Sequence, residues 1–203
     1  NPALALSPLL KGALLTLEYI EAHGPIGLTP SKALKRYFVV WAADAFAWPY
    51  YTAEELYYLN KVLNEDDFVP LLLLHDLLIR LKLARHQKGA MHITKLGKQL
   101  RTRPATLWAV FVERILRGYD FTPYARYEIP IVGNWDVFVN VINVEAQMGC
   151  SDDHLCAVLF GSRRGEGGLE HAKRRSAFYV HFLRPLVWLG LLHEPATGKG
   201  LNR

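Results

Sequence analysis

Apolar positions along this chain recur at helical spacing, in runs separated by Gly, Pro and short polar stretches. The densest run, Phe68 to Leu83, lies within DFVPLLLLHDLLIRLKLARHQKGAMHITKLGK, Asp67 to Lys98. Leucines on nearly every side predict a helix over most of Asp67 to Lys82 that is buried all round, with Leu71, Leu74, Leu78 and Leu81 in the core. Lys88-Gly89 then predicts a tight turn in a hairpin over 83–93, and Thr94 caps a new helical turn. The C-terminal stretch Ala177 to Asn202 repeats this order, from an apolar helix through an L-x-L step to Thr-Gly-Lys-Gly. A constant shift superposes Leu78 on Leu186, Leu81 on Leu189 and Leu83 on Leu191. The spacing predicts a last helix over Glu170 to Leu189 that buries Phe178, Phe182, Leu186 and Leu189, with a turn near Thr197–Gly200.

Helix signals fill the rest. Ser7-Pro8 opens a first helix that buries Leu10, Leu14, Leu15, Leu17 and Ile20, and Gly24 ends it. Thr29-Pro30 predicts the start of a second helix, carrying Lys32, Lys35 and Arg36. Thr52 and Glu55 fit a reciprocal capping box ahead of helices near 53–63 and 67–82. Pro104 begins another that Gly118 stops, and residues 119–134 form a linker or elbow. Val137, Val139 and Val141 alternate as in a strand, yet Phe138, Ile142 and Glu145 keep a helix over 136–148 as the reading. Ser151-Asp152-Asp153 caps the helix through Phe160, and Gly161 to Gly168 is a loop. The fold class is mainly α with small β-hairpins, a tandem of winged-helix-like units at 1–118 and 119–203.

Two short segments flank the Phe68 to Leu83 run: Gly27-Leu28-Thr29-Pro30-Ser31-Lys32-Ala33-Leu34 and Met91-His92-Ile93-Thr94-Lys95-Leu96-Gly97. This arrangement resembles the winged-helix-like region of bacterial proteins similar to the plasmid pRiA4b ORF-3 group, over about residues 10–116. Lys32 stands where that group usually has Gly. The resemblance implies architecture and brings no catalytic residues.

Composition narrows the class. With 203 residues, 51% hydrophobic and 21% charged, the chain can bury a real core. Two cysteines, Cys150 and Cys156, offer no disulfide framework and suit a reducing, cytoplasmic setting. The longest apolar run, Val69 to Leu74, is far short of the roughly 20 residues of a membrane span. The first residues lack the basic start of a signal peptide, and the native termini are expected to lie beyond Asn1 and Arg203.

The net charge of +5 matters less than its distribution. No Asp or Glu occurs from Leu77 to Val112, which holds Arg80, Lys82, Arg85, Lys88, Lys95, Lys98, Arg101 and Arg103. In the second unit Arg163, Arg164, Lys173, Arg174, Arg175 and Lys199 surround the start of the last helix and the expected wing. A winged helix offers that helix to the major groove, so these six are the candidate duplex-DNA contacts. The competing reading is a solvated charged face balanced by Glu166, Glu170 and His171. In the first unit Glu65-Asp66-Asp67 precede the equivalent helix and would repel phosphate, although its basic residues after Lys88 could still track a backbone.

Other chemistry is thin. Cys150, His154 and Cys156 lack zinc spacing, so structural cysteines, no metal and no cofactor are expected. No nucleophile elbow, phosphate loop or dinucleotide fingerprint is present, and no catalytic residue is assigned. Trp41, Phe46, Trp48, Tyr50 and Tyr51 are core or, if exposed, an interface patch, with core favoured. The alternative function is therefore a protein-interaction or self-association module.

Overall fold

The computed structural model describes residues 2–127, 135–161 and 168–194. The chain divides into two compact units, residues 1–113 with those from 187 onward, and residues 114–186.

The first unit contains α1 (Pro8–His23), β1 (Ile26–Gly27), α2 (Arg36–Phe46), α3 (Ala53–Leu59), α4 (Val69–Arg80), β2 (Ala84–Gln87), β3 (Ala90–Ile93), α5 (Lys95–Arg101) and most of α6 (Pro104–Leu116). Local caps set several boundaries, because the first amides of a helix lack intrahelical acceptors. Buried Ser7 accepts from the Leu10 amide at 3.2 Å and donates to the Trp188 carbonyl at 3.0 Å. Thr52 and Glu55 form the expected capping box, and Thr94 Oγ1 accepts from Gly97 N at 3.0 Å.

The strands form an antiparallel sheet in the order β1-β3-β2. Ile26 and His86 both register with Met91, and Arg85 sits opposite His92. Lys88 and Gly89 both have positive φ, 49° and 72°, as a two-residue turn matched to strand twist requires. The hairpin lies where the Lys88-Gly89 signal places it.

Two expectations change here. The second helix starts at Arg36, not at Thr29-Pro30. Thr29 instead closes a turn on Ala33, Lys32 takes a left-handed φ of 68°, and Leu34 bridges back to Leu28. The Leu34 amide is claimed by the carboxylate of Glu65 at 2.6 Å, which holds the segment extended. Leu81 is half-buried instead of buried, because α4 ends there and the chain leaves it through left-handed Lys82.

In α1, Leu10, Leu17 and Ile20 are buried as expected, whereas Leu14 and Leu15 are only half-buried. Leu71, Leu73, Leu74, Leu77 and Leu78 have no exposed surface, so α4 is enclosed on most sides. Phe46 and Trp48 are buried, with Phe46 against Phe68 at 6.1 Å and Trp48 edge-on to Trp188 at 5.5 Å. Core packing therefore accounts for the central members of that aromatic cluster.

The second unit contains α7 (Trp135–Glu145), α8 (Asp152–Phe160) and α9 (Leu169–Phe178), which continues through a π-helical turn, Tyr179–Leu183, into α10 (Arg184–Leu189), whose residues from Val187 on count with the first unit. α7 is helical despite its alternating valines, and Ser151 caps α8 by accepting from His154 N at 3.1 Å. Phe138 meets Phe182 edge-on at 4.4 Å and Phe178 at 6.1 Å, and all three are buried. Leu186 and Leu189 are buried as well. The hairpin expected near Thr197–Gly200 lies outside the described residues. Among the described residues, no helix is long and apolar enough to cross a membrane.

Candidate functional site

The acid-free window becomes the edge of the first unit. Arg80 is paired with Asp76 at 2.6 Å, and Lys98 reaches Glu21 at 3.1 Å. Lys82 leaves the end of α4, Arg85 stands on β2, Lys88 occupies the hairpin turn and Lys95 opens α5. These four are exposed, and among the described residues no acid pairs with them. Their side chains remain available to an anion. α4 is not available in the same way, since its leucines are enclosed.

Beside the hairpin runs a chain of polar groups whose one trace in the sequence is His75, a polar residue standing among the leucines of α4. Glu65 lies in a 3-10 turn before α4 and is 2% exposed. Its carboxylate accepts from Leu34 N at 2.6 Å and bonds His75 Nδ1, also at 2.6 Å. His75 Nε2 meets His86 Nε2 of β2 at 2.8 Å. A buried carboxylate is costly unless its oxygens are satisfied, and these two partners satisfy them. Glu65 is thus turned inward, away from any phosphate that the Glu65-Asp66-Asp67 run was expected to repel. The His86 ring is exposed, and its pKa is held below the usual imidazole value by burial, then by His75 and Lys32, against an opposing pull from Glu65.

On α9 the picture is more balanced. Lys173 pairs with Glu170 at 2.8 Å, and Arg175 lies 3.6 Å from Asp152 and 3.4 Å from Asp153. Asp153 also bonds His171 at 3.1 Å, and that bond, then Arg175, holds its carboxyl below the usual value. Arg174 is exposed and has no paired acid among the described residues. Arg163, Arg164 and Lys199 lie outside the described residues. Lys173 and Arg175 therefore fit the locally balanced face, and Arg174 alone of the three fits an open phosphate contact.

The cysteines carry no visible chemistry. Cys156 is buried, and burial pushes its thiol up to about 12, which leaves it unreactive. Cys150 is exposed, with its thiol raised by partial burial and by Glu145. His154 is engaged with Glu145 at 2.6 Å. Among the described residues, no three His, Cys, Asp or Glu side chains gather as metal ligands.

Comparison with known proteins divides the chain between two family domains, the second of which includes residues from 187 onward that count with the first compact unit. Residues 5–106 match the model of the Y4jL N-terminal domain, and residues 125–203 match that of the y4jL C-terminal domain. The "Uncharacterized protein y4jL" of Sinorhizobium fredii (strain NBRC 101917 / NGR234) is 38% identical over 192 residues, covering 91% of this chain and 86% of that protein. No solved structure matches the chain.

Proposed function

The chain belongs to the y4jL family, and we propose that its first unit is a winged helix that binds duplex DNA through its hairpin, not through the helix before it. Support for the winged-helix assignment comes from connectivity. Helix, strand, helices and hairpin follow in that order, and β1 adds to the hairpin beside β3. The observation that carries the function is the unpaired set Lys82, Arg85 and Lys88, just before and on a hairpin without acids. Such cations contact phosphates and position a duplex without reading its sequence. An enclosed α4 has little to offer base edges, so weak sequence preference follows. Arg174 on α9 is a further phosphate contact in this reading.

Fluorescence anisotropy of the full chain on a labelled arbitrary duplex tests it. Binding should tighten at low ionic strength, with a log–log salt slope of roughly −3 if three phosphates are engaged. Two unrelated duplex sequences should bind about equally. Absence of salt-sensitive binding at low ionic strength rules the reading out.

A protein-interaction role has its own supporting observation. Tyr57, Tyr58, Leu59 and Val62 are large apolar residues exposed together on and just beyond α3, with Tyr58 at 83%. If this patch mediates self-association, sedimentation should show a concentration-dependent dimer that Tyr58→Ser weakens. A strict monomer for the unchanged chain would count against it.

A further inference from the structure

Two histidine rings join β2 to α4. Strand alternation puts His86 on the face of β2 that carries buried Ala84, and Met91, its partner across the strands, is buried too. The ring is therefore directed at α4, where its Nε2 meets Nε2 of His75 at 2.8 Å. His75 Nδ1 bonds Glu65 at 2.6 Å, and Glu65 holds Leu34 N at 2.6 Å. Two imidazole nitrogens at such a distance share one proton, and either ring can supply it. A charged His75 would donate to His86, and a neutral one, with its Nδ1–H on Glu65, would accept from it. The bond thus forms when both rings are neutral and when one is charged. Two charged rings forbid it, because each Nε2 then carries its own hydrogen and two donors face each other.

The surroundings resist the second charge without shutting it out. The His86 ring is exposed, so solvent can supply the proton. Its pKa is held below the usual imidazole value by burial, then by the charges of His75 and Lys32, with Glu65 pulling the other way. Arg85 on β2 and His92 opposite it on β3 belong to the other face of the hairpin. On α4, Asp76 beside His75 is engaged with Arg80 at 2.6 Å. In the turn before α4, Asp67 accepts from Asn64 N at 2.8 Å, and Asp66 is exposed.

We propose that the His75–His86 contact is a proton-operated latch on the hairpin, closed while the pair carries at most one charge and open when it carries two. Once open, β2 loses its tie to α4 at His86 while its two ends stay bound. Leu83 N still donates to the Leu78 carbonyl at 2.9 Å, and Leu28 N to the Gly89 carbonyl at 2.8 Å. The middle of β2, with Arg85 on it, is the part set free. The sign follows from linkage. The folded chain resists a proton that His86 accepts when unfolded, so the latch's stability is complete above about pH 6.5. It is lost as pH falls through the lower midpoint of the folded chain, by at most about tenfold in the folding constant per pH unit. The latch needs no ligand, so it stands or falls apart from duplex binding.

The test follows both rings by NMR in the full chain, from about pH 8 down to about pH 5, with His86→Gln and His75→Gln assigning the resonances. At the upper end Overhauser contacts should join the two rings. They should vanish in step with the second charge, while the amide spectrum of α1 and α4 stays that of the folded chain. In His75→Gln the His86 midpoint should move up, since no second imidazolium stands opposite it. The urea midpoint of the unchanged chain should exceed that of His86→Leu at about pH 8, and the gap should narrow as pH falls. Rings without contact at the upper end overturn the latch, and so do contacts that persist with both rings charged. A gap in urea midpoint that is constant across the range overturns it as well. Unfolding of the first unit before the second charge goes on would also overturn it, leaving the pair a fixed clamp.

Discussion

Gly97→Ala is expected to unfold most of the first unit's sheet edge, at a cost of ~3 kcal/mol or more. A Cβ at Gly97 would fall inside contact distance of the Leu83 carbonyl oxygen and 2.9 Å from Ile93 Cγ1. The carbonyl cannot step aside cheaply. It accepts from Thr94 N at 3.0 Å and from Thr94 Oγ1 at 3.1 Å, and Thr94 is also the cap of α5. Moving it breaks the junction of α4, β2, β3 and α5 at once. Because domains are stable by only about 5–15 kcal/mol, the loss should appear as a large fall in the urea midpoint. An unchanged midpoint would show that α5 does not pack against Leu83 in solution.

Leu78→Ala should cost ~2–5 kcal/mol, from lost transfer free energy plus the cavity left behind. Leu78 has no exposed surface, and its carbonyl accepts from Leu83 N at 2.9 Å where the chain turns into β2. Neighbours held by the helix and the hairpin cannot collapse far into the gap, which argues for the upper part of that range. Leu81→Ala should cost less, since Leu81 is half-buried at the end of α4. Equal midpoints for the two variants would contradict the packing around α4.

What the sequence made legible was local. The Thr52–Glu55 box, the Ser7, Thr94 and Ser151 caps and the Lys88-Gly89 turn depend on residues within about four positions of each other, so their signals survive without tertiary knowledge. The burial of most of α4 was legible from its leucine density, although one face, with Val69, Leu72, Asp76 and Ile79 half-buried and Arg80 exposed, stays open where burial all round was expected. The start of α2 was not. Thr29-Pro30 is a sound local start signal, overridden by Glu65, which lies 31 positions from the Leu34 amide that it binds. Glu65 itself reads, with Asp66 and Asp67, as an acid that would repel phosphate, and only folding shows it turned inward to His75. The ion pairs of two of the α9 cations were not legible for a similar reason. Asp152 and Asp153 belong to the preceding helix, and their approach to Arg175 is set by how α8 meets α9. The exposed basic hairpin combined both kinds of signal. Its lack of acids was visible in the sequence, and its freedom from partners required the fold.

The central claim is that the first unit's hairpin makes the phosphate contacts. Its most direct test compares salt slopes of duplex binding for two triple variants with that of the unchanged chain. One replaces Lys82, Arg85 and Lys88 by Ala, and the other replaces Lys173, Arg174 and Arg175. The account predicts that the hairpin variant loses roughly 2–3 from the slope magnitude, while the α9 variant loses about 1, because Arg174 is the open cation of that set. A hairpin variant with an unchanged slope, beside an α9 variant that loses most of it, would contradict the account and place the contacts in the second unit.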